Sequence, residues 1–290
     1  MKKTQELIDL ITLTRLDGNL FEGKSSFMGS PNVFGGQVVS QALHAAYQTV
    51  DGDRLCHSLH SYFILPGHLE KPIYYDVSIL RDGGSFSTRV VTAKQENVPI
   101  FVMACSFQLK QEGYEHQGTM PEVTPPEELL SWNDVAEQFG AVLPKSIMRF
   151  VLAERPIDFK PVEFVNLFEN KDHENYSNIW MSFCDVPEQL PLPIMHQLIA
   201  YGSDYNFLTT AIKPHASKAN FNNTKMASID HSIWFHRAPD LNDWILVNIE
   251  SPSAIDTRGY ARGSMYNRTG ELICSVAQEG LIRPLTENIE

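Results

Sequence analysis

The sequence predicts an α+β fold in which two central helices are each wrapped by an antiparallel sheet. Two stretches have helical periodicity: residues 36–50 carry apolar or small side chains over most of their surface, and residues 196–212 have one apolar face. Each stretch is followed by four strand-like runs that turn signals separate. A helix with several antiparallel strands cannot bury its apolar surface alone, so we expect the two units to join their sheets into one layer.

The front unit begins with one short strand and its helix. Gly35 and Gly36 stand just before that helix. The predicted strands are 20–28 before the helix and 55–65, 73–81, 85–95 and 99–109 after it. The turns between the later strands are indicated by Pro66-Gly67, Asp82-Gly83-Gly84 and Glu96-Asn97.

The rear half repeats this order, which predicts an internal duplication. Its predicted strands are 163–168 and 178–184 before the second helix and 225–237, 244–251, 255–266 and 271–282 after it. Short motifs recur at nearly constant offsets: His60-Ser61 with His231-Ser232, Thr88-Arg89 with Thr257-Arg258, and Gln108 with Gln278. We expect an N-terminal unit at 1–112, a connector at 113–155 and a C-terminal unit at 156–290. Within the connector, prolines favour an extended start, and a helix is expected at 127–143.

Composition and charge exclude several classes of protein. The chain has 290 residues, 43% of them hydrophobic, which is enough for one large or two medium domains. Its net charge of −12 disfavours nonspecific nucleic-acid binding. No apolar run is long enough to span a bilayer, so membrane insertion is not expected. Charged residues interrupt the amphipathic segment 1–23, which favours a surface helix over a signal peptide.

The four cysteines are widely spaced and form no CxxC pair. We expect them to be buried reduced thiols of a cytoplasmic protein. The spacing also matches no zinc-ligand pattern, so no metal is expected. The cysteines are Cys56, Cys105, Cys184 and Cys274.

Asp204 is the most unusual residue of the rear helical stretch. On a helix it would share a face with Ala200, Tyr201, Phe207 and Leu208. A buried carboxylate is costly and normally has hydrogen-bond partners or a chemical role. The corresponding stretch of the front half has no Asp or Glu. The contrast predicts a single active site, built by the rear half.

Ser228 and Gln278 are the other two candidate catalytic residues. Gln278 interrupts an apolar strand face, and Ser228 lies on a strand face with other polar side chains. Together with the Asp204 carboxylate, a hydroxyl and an amide can hold one water for general-base hydrolysis without a covalent intermediate. Each residue alone also has a structural explanation: a carboxylate bonded to a strand hydroxyl, an ordinary strand serine, and a sheet-end amide. Only their combination favours catalysis.

Further residues are candidates for substrate binding. The amides near Gly35 and Gly36, at a helix N-terminus, could stabilise an oxyanion. Arg258 and Arg262 could grip phosphates or be solvated sheet arginines, and His57 could be a ligand, a base or a packing residue. No GxSxG elbow or complete dinucleotide-binding glycine motif is present, which disfavours an α/β-hydrolase and a Rossmann fold.

The longer motifs resemble a known family. The front half carries NVFGGQVVSQAL, HSLHSYFILPG and PIFVMACSFQ, and the rear half carries SDYNFL, SIDHSIWFHR and ARGSMYNRTGELICSVAQEG. In this order they resemble acyl-CoA thioesterase II, the TesB type, over nearly the entire chain. The resemblance implies a double-hotdog fold, no metal or organic cofactor, and a homo-oligomer, either a dimer or a tetramer.

The resemblance also implies an activity and a catalytic trio. The activity is hydrolysis of medium- to long-chain acyl-CoA to free fatty acid and CoA. The family's trio falls on Asp204, Ser228 and Gln278, with Ser where bacterial members often have Thr. Two alternatives stay open: a hotdog hydratase or dehydratase, which would use a histidine such as His57 or His60 with a carboxylate, and a noncatalytic acyl-CoA-binding module.

Overall fold

The computed structural model describes residues 1–139, 154–163, 171–220 and 223–285. The helices of this part are α1 (Thr4–Ile11), α2 (Gly35–Tyr47), α3 (Trp132–Phe139), α4 (Leu192–Gly202) and α5 (Phe207–Ile212). The front strands are β1 (Thr14–Arg15), β2 (Leu20–Gly23), β3 (Arg54–Phe63), β4 (Ile73–Asp82), β5 (Phe86–Gln95) and β6 (Val98–Leu109). The later strands are β7 (Ile157–Pro161), β8 (Tyr176–Phe183), β9 (Thr224–Ser228), β10 (Asp230–Phe235), β11 (Ile245–Ile255), β12 (Arg258–Asn267) and β13 (Leu272–Pro284).

All of these strands form one antiparallel sheet, whose order repeats on either side of its centre. The centre is the pairing of β3 with β10. Outward from it lie β6, β5, β4 and β2 on one side, and β13, β12, β11 and β8 on the other. The predicted α+β fold, with two helices wrapped by antiparallel strands that join into one layer, is therefore confirmed.

The two central helices pack against each other inside the curved sheet. The Ser40 hydroxyl of α2 donates to the carbonyl oxygen of Gln197 in α4 at 2.7 Å. Ala42, Leu43 and Ala46 of α2 are completely buried, because one side of this helix faces its strands and another faces α4. The small and apolar composition predicted for this helix is thus a consequence of its contacts on several sides. Within the described residues, no helix is long and apolar enough to cross a membrane.

The prediction of one continuous helix over 196–212 is wrong. Helix α4 ends at Gly202 and α5 begins at Phe207. Between them, Asn206 has a left-handed backbone with φ of 72°, a conformation that asparagine tolerates better than most residues. Asp204 therefore lies in a break between two helices rather than on a helix face. Because of this break, helical geometry does not set the direction of the Asp204 carboxylate.

The predicted strand 225–237 is divided at Ile229 into β9 and β10. The Ile229 amide donates to the Glu279 carbonyl at 2.9 Å, and its carbonyl accepts from the Phe63 amide at 2.9 Å. Strand β3 ends at Phe63, so β9 continues along β13 without β3 as a neighbour. Ser228 therefore lies at the end of β9, just beyond the pairing of β3 with β10.

The recurring dipeptides do not occupy equivalent places, although the elements do. His231 is completely buried, whereas His60 is exposed on the other face of the sheet. Similarly, Arg89 is buried and Arg258 is exposed. Strand side chains alternate between faces, so a shift of one residue reverses the face. The duplication is thus supported by the order of elements and not by these residue matches.

The remaining segments agree with the predictions in part. Helix α1 is amphipathic as expected, but its Leu7 and Ile11 are fully buried against the central helices. The connector helix expected at 127–143 appears as a short 3₁₀ turn, Pro126–Glu128, followed by α3. Residues 140–143 and nearly all of the expected strand 163–168 lie outside the described residues. The domain boundaries at 112 and 155 stay a prediction.

Candidate active site

The Asp204 carboxylate lies where the two halves of the protein meet. The amide of Gly36, in the first turn of α2, donates to its Oδ2 at 2.7 Å. The neighbouring Gly35 approaches just as closely, since a Cβ at this position would lie 2.6 Å from the same oxygen. The Gly-Gly pair therefore lets a front-half helix N-terminus approach a rear-half carboxylate.

The structure brings Ser228 and Gln278 to the other carboxylate oxygen. The Gln278 amide nitrogen donates to Asp204 Oδ1 at 3.0 Å and to Ser228 Oγ at 2.6 Å. The Ser228 hydroxyl donates to the same Oδ1 at a longer 3.4 Å. Ser228 is paired with Gly280 across β9 and β13, which places it close to Gln278. We name these three residues the Asp–Ser–Gln cluster.

Burial dominates the electrostatics of this cluster. Desolvation raises the pKa of Asp204 to about 7, while hydrogen bonds from Gln278, Gly36 and Ser228 act in the opposite direction. Among the residues that the structure describes, no cationic side chain contributes to the shift. The carboxyl group thus has the proton affinity that a general base needs near neutral pH.

The predicted oxyanion donors are partly occupied. The Gly36 amide is bonded to Asp204 rather than directed at an open position. The Gly35 amide, also at the start of α2, has no hydrogen-bond partner among the described residues. Gly35 is therefore the better placed of the two glycines for a substrate oxygen.

The other candidate residues lie away from the cluster. The half-buried His57 contacts Ser106, with its Nε2 2.8 Å from the serine Oγ. Phe63 of β3 bonds to Ile229, which directly follows Ser228. His57 stands six residues before Phe63, so it lies about 20 Å along the strand from this end of β3. Arg258 and Arg262 project from the face of β12 opposite to the buried Ala261. They form ion pairs with Glu279 and Glu250, so their substrate-binding role stays a prediction.

Sequence reasoning missed an aromatic group beside Asp204. The Phe34 ring lies 5.2 Å from that of Tyr201 and 4.6 Å from that of Tyr205, between ring centroids. The ring of Phe159 packs on Tyr205 at 5.1 Å. The spacing of the two tyrosines around the helix end was an available signal, but Phe34 and Phe159 come from distant parts of the chain. The group gives the site an apolar side.

Comparison with known proteins agrees with this fold. A solved protein with a hotdog fold from Alicyclobacillus acidocaldarius superposes with a TM-score of 0.74 at 18% identity, over 96% of this chain and 98% of that one. An acyl-CoA thioesterase II, TesB2, from Mycobacterium marinum superposes with a TM-score of 0.79 at 31% identity, over 97% and 99%. Two helix-and-sheet units in one chain thus define a double-hotdog protein, as the family resemblance implied.

The sequence comparisons identify the family. Residues 149–281 match the family model described as acyl-CoA thioesterase, and residues 24–108 match that of the acyl-CoA thioesterase N-terminal domain. The chain is 41% identical to acyl-CoA thioesterase 2 of Haemophilus influenzae over 96% of each chain. It is 37% identical to human acyl-coenzyme A thioesterase 8 over 94% of this chain and 88% of that one. The chain belongs to the acyl-CoA thioesterase family.

Proposed function

We propose that this protein hydrolyses medium- to long-chain acyl-CoA to free fatty acid and CoA, with Asp204 as the general base. The observation that carries the proposal is the buried Asp204 carboxylate, hydrogen-bonded to Ser228, Gln278 and the Gly36 amide where the two halves meet. The names of the relatives and the apolar aromatic side of the site support an acyl-thioester substrate. We also propose a cytoplasmic homo-oligomer, either a dimer or a tetramer, that needs no cofactor.

In the proposed mechanism, Asp204 accepts one proton from a water that Ser228 and Gln278 orient. The water oxygen forms a bond to the thioester carbonyl carbon, and the carbonyl electron pair moves to its oxygen. When this tetrahedral intermediate collapses, the carbon–sulfur bond breaks. The CoA thiolate then takes up the proton that Asp204 accepted, which regenerates the carboxylate.

Release of free thiol distinguishes this proposal from its alternatives. Incubation with a series of acyl-CoAs of increasing length, with a thiol reagent present, measures hydrolysis directly. A noncatalytic module would bind acyl-CoA without releasing thiol, and a hydratase would change enoyl-CoA absorbance without doing so. The structure favours the hydrolase over the hydratase because His57 and His60 contact serine hydroxyls and, among the described residues, no carboxylate.

We expect hydrolysis to require the Ser228 hydroxyl but not the additional methyl group that a threonine would carry at this position. Ser228→Thr should retain turnover within about threefold, and Ser228→Ala should lose roughly tenfold or more in kcat because the water loses a hydrogen-bond partner. Thiol release measures both. Ser232→Ala, on the outer face of β10, is the matched control. An alanine variant at 228 as fast as the parent would show that the hydroxyl is dispensable.

The pH dependence should report the ionisation of Asp204. Only the carboxylate can accept a proton, and burial raises its pKa to about 7. We therefore expect kcat/KM to rise with pH below about 7 and to level off above it. A profile already flat from about pH 5, near the ordinary range of carboxyl groups, would count against Asp204 as the base.

A further inference from the structure

Two buried polar atoms, one in the Asp–Ser–Gln cluster and one next to it, have no hydrogen-bond partner within the conventional distance and angle among the described residues. They are the side-chain oxygen of Gln278, Oε1, and the Nδ1 nitrogen of His231. Both residues are almost completely inaccessible, with 1% and 0% of their surface exposed. A buried polar atom without a partner is costly, so two such atoms in neighbouring residues call for an explanation.

The strand register places these two residues side by side. Ser232 of β10 pairs with Ala277 of β13, so the next step along both strands sets His231 beside Gln278. Both side chains point to the inner face, since both are buried. Side chains that face each other across antiparallel strands have Cβ atoms about 5 Å apart. The imidazole and the amide are thus direct neighbours.

The chemistry of the cluster determines which end of the Gln278 amide meets His231. A carboxylate can only accept hydrogen bonds, so the NH₂ group of Gln278 must face Asp204. The amide oxygen is then directed away from Asp204, and it needs a donor. A protonated Nδ1 of His231 supplies one.

The other ring nitrogen of His231 has a partner that is consistent with this tautomer. Its Nε2 lies 2.8 Å from the hydroxyl oxygen of Ser203. Burial lowers the pKa of His231 to about 4, against a smaller opposite effect of the Gln278 side chain, so the ring is neutral and carries one proton. The Ser203 hydroxyl also lies 2.9 Å from the carbonyl oxygen of Ala200, to which it can donate its single proton instead. In that arrangement the ring proton is on Nε2, and both Nδ1 and the Gln278 oxygen are left without a partner among the described residues. Donation from Ser203 to Nε2 places the ring proton on Nδ1 and satisfies both atoms, so it is the better arrangement.

We propose that His231 is a positioning residue for catalysis: its Nδ1–H holds the Gln278 amide oxygen and so aims the amide nitrogen at Asp204 and Ser228. Ser203, the partner of the Nε2 nitrogen, directly precedes Asp204 in the chain, so the hydrogen-bonded residues lead back to the base. The kinetic part of this inference rests on the proposed thioesterase function. The tautomer itself does not.

The first test is the tautomer, measured by NMR on protein with ¹⁵N-labelled histidine. His196 is an internal reference because it is also buried and also lies between the two halves. The Tyr47 hydroxyl accepts from the Cys56 amide and can donate its own proton to His196 Nδ1, which favours Nε2–H for His196. We expect Nδ1–H for His231 and Nε2–H for His196. An Nε2–H tautomer for His231 would overturn the proposal, whether or not the protein hydrolyses acyl-CoA.

The second test compares two substitutions of the same residue. In His231→Asn, the side-chain NH₂ can replace Nδ1–H, and we expect kcat within about threefold of the parent. In His231→Leu the donor is lost, and we expect kcat to fall about 10- to 100-fold with KM nearly unchanged, because a misoriented amide displaces the attacking water. His196→Leu is the control for removing a buried imidazole and should keep the parental kcat.

The outcomes separate positioning from simple packing. Parental kcat in the leucine variant, or equal losses in the asparagine and leucine variants, would contradict the proposal. If the leucine variant does not fold, the parental tautomer and the asparagine variant decide. If no variant and no parent releases thiol, the proposed function fails and the NMR result alone decides the role of His231 in holding Gln278.

Discussion

Asp204→Asn is expected to remove most thioester turnover, by about 10²- to 10⁴-fold in kcat, while the fold is retained. Asparagine has nearly the same shape and can still accept a hydrogen bond from the Gly36 amide, but it cannot accept a proton from water. Thiol release measures the loss, and circular dichroism checks the fold. A folded asparagine variant with normal turnover would contradict the assigned role.

The same substitution should increase stability at alkaline pH. The folded-state pKa of Asp204 is about 7 and its ordinary value is 3.8, because burial penalises the charged form. The folded state therefore holds the proton more tightly, and stability is lost as pH rises from about 4 to about 7. The full cost, on the order of 4 kcal/mol, applies above that window.

Asparagine carries no such charge and escapes this cost. We expect a clearly higher Tm than the parent at pH 8 and little difference at pH 4. Equal Tm values at pH 8 would indicate that the Asp204 carboxylate is adequately solvated by its hydrogen bonds. The comparison also tests whether the site exchanges stability for a usable base.

Gly36→Ala is expected to weaken both stability and turnover. A Cβ at this position would lie 2.5 Å from the carbonyl oxygen of Tyr201 and 2.6 Å from the Phe34 ring. The Tyr201 carbonyl belongs to the backbone of α4 and cannot move alone, so α2 and α4 must separate. Overpacking of this kind costs about 1–3 kcal/mol, and the separation lengthens the hydrogen bond from the Gly36 amide to Asp204.

Urea unfolding measures the free energy of unfolding of this variant, and thiol release measures its kcat. Gly52→Ala is the matched control because a Cβ there meets no atom within 4 Å. A Gly36→Ala protein with the parental unfolding midpoint would show that the two helices have room to accommodate the methyl group.

Most of the fold was predictable from local patterns, and so were the three residues of the cluster. Alternation along the strand correctly placed Gln278 on the buried face with Cys274 and Val276. The ends of the four strands that follow α2 were predicted within one or two residues, because turn residues mark them. The strand expected at 20–28 is shorter and ends at Gly23. The break around Asp204 was not predicted, because the left-handed backbone of Asn206 is set by tertiary packing and not by helical periodicity.

The contacts that complete the site join residues that are far apart in the chain. The hydrogen bond from Gly36 to Asp204 joins residues 168 positions apart, and no local pattern encodes it. The division of the predicted strand at Ile229 depends on its bonds to Glu279 and Phe63. The role inferred for His231 depends on its neighbour across the sheet, which no local pattern encodes.

The pairing of β3 with β10 makes the two repeats mutually dependent. One repeat contributes the amide that steadies the carboxylate, and the other contributes the carboxylate itself. When two such copies are joined in one polypeptide, only one of them has to supply the carboxylate, so their sequences are free to differ. Fragments that each carry a single repeat would then be inert when separate and would recover function only by reassociating.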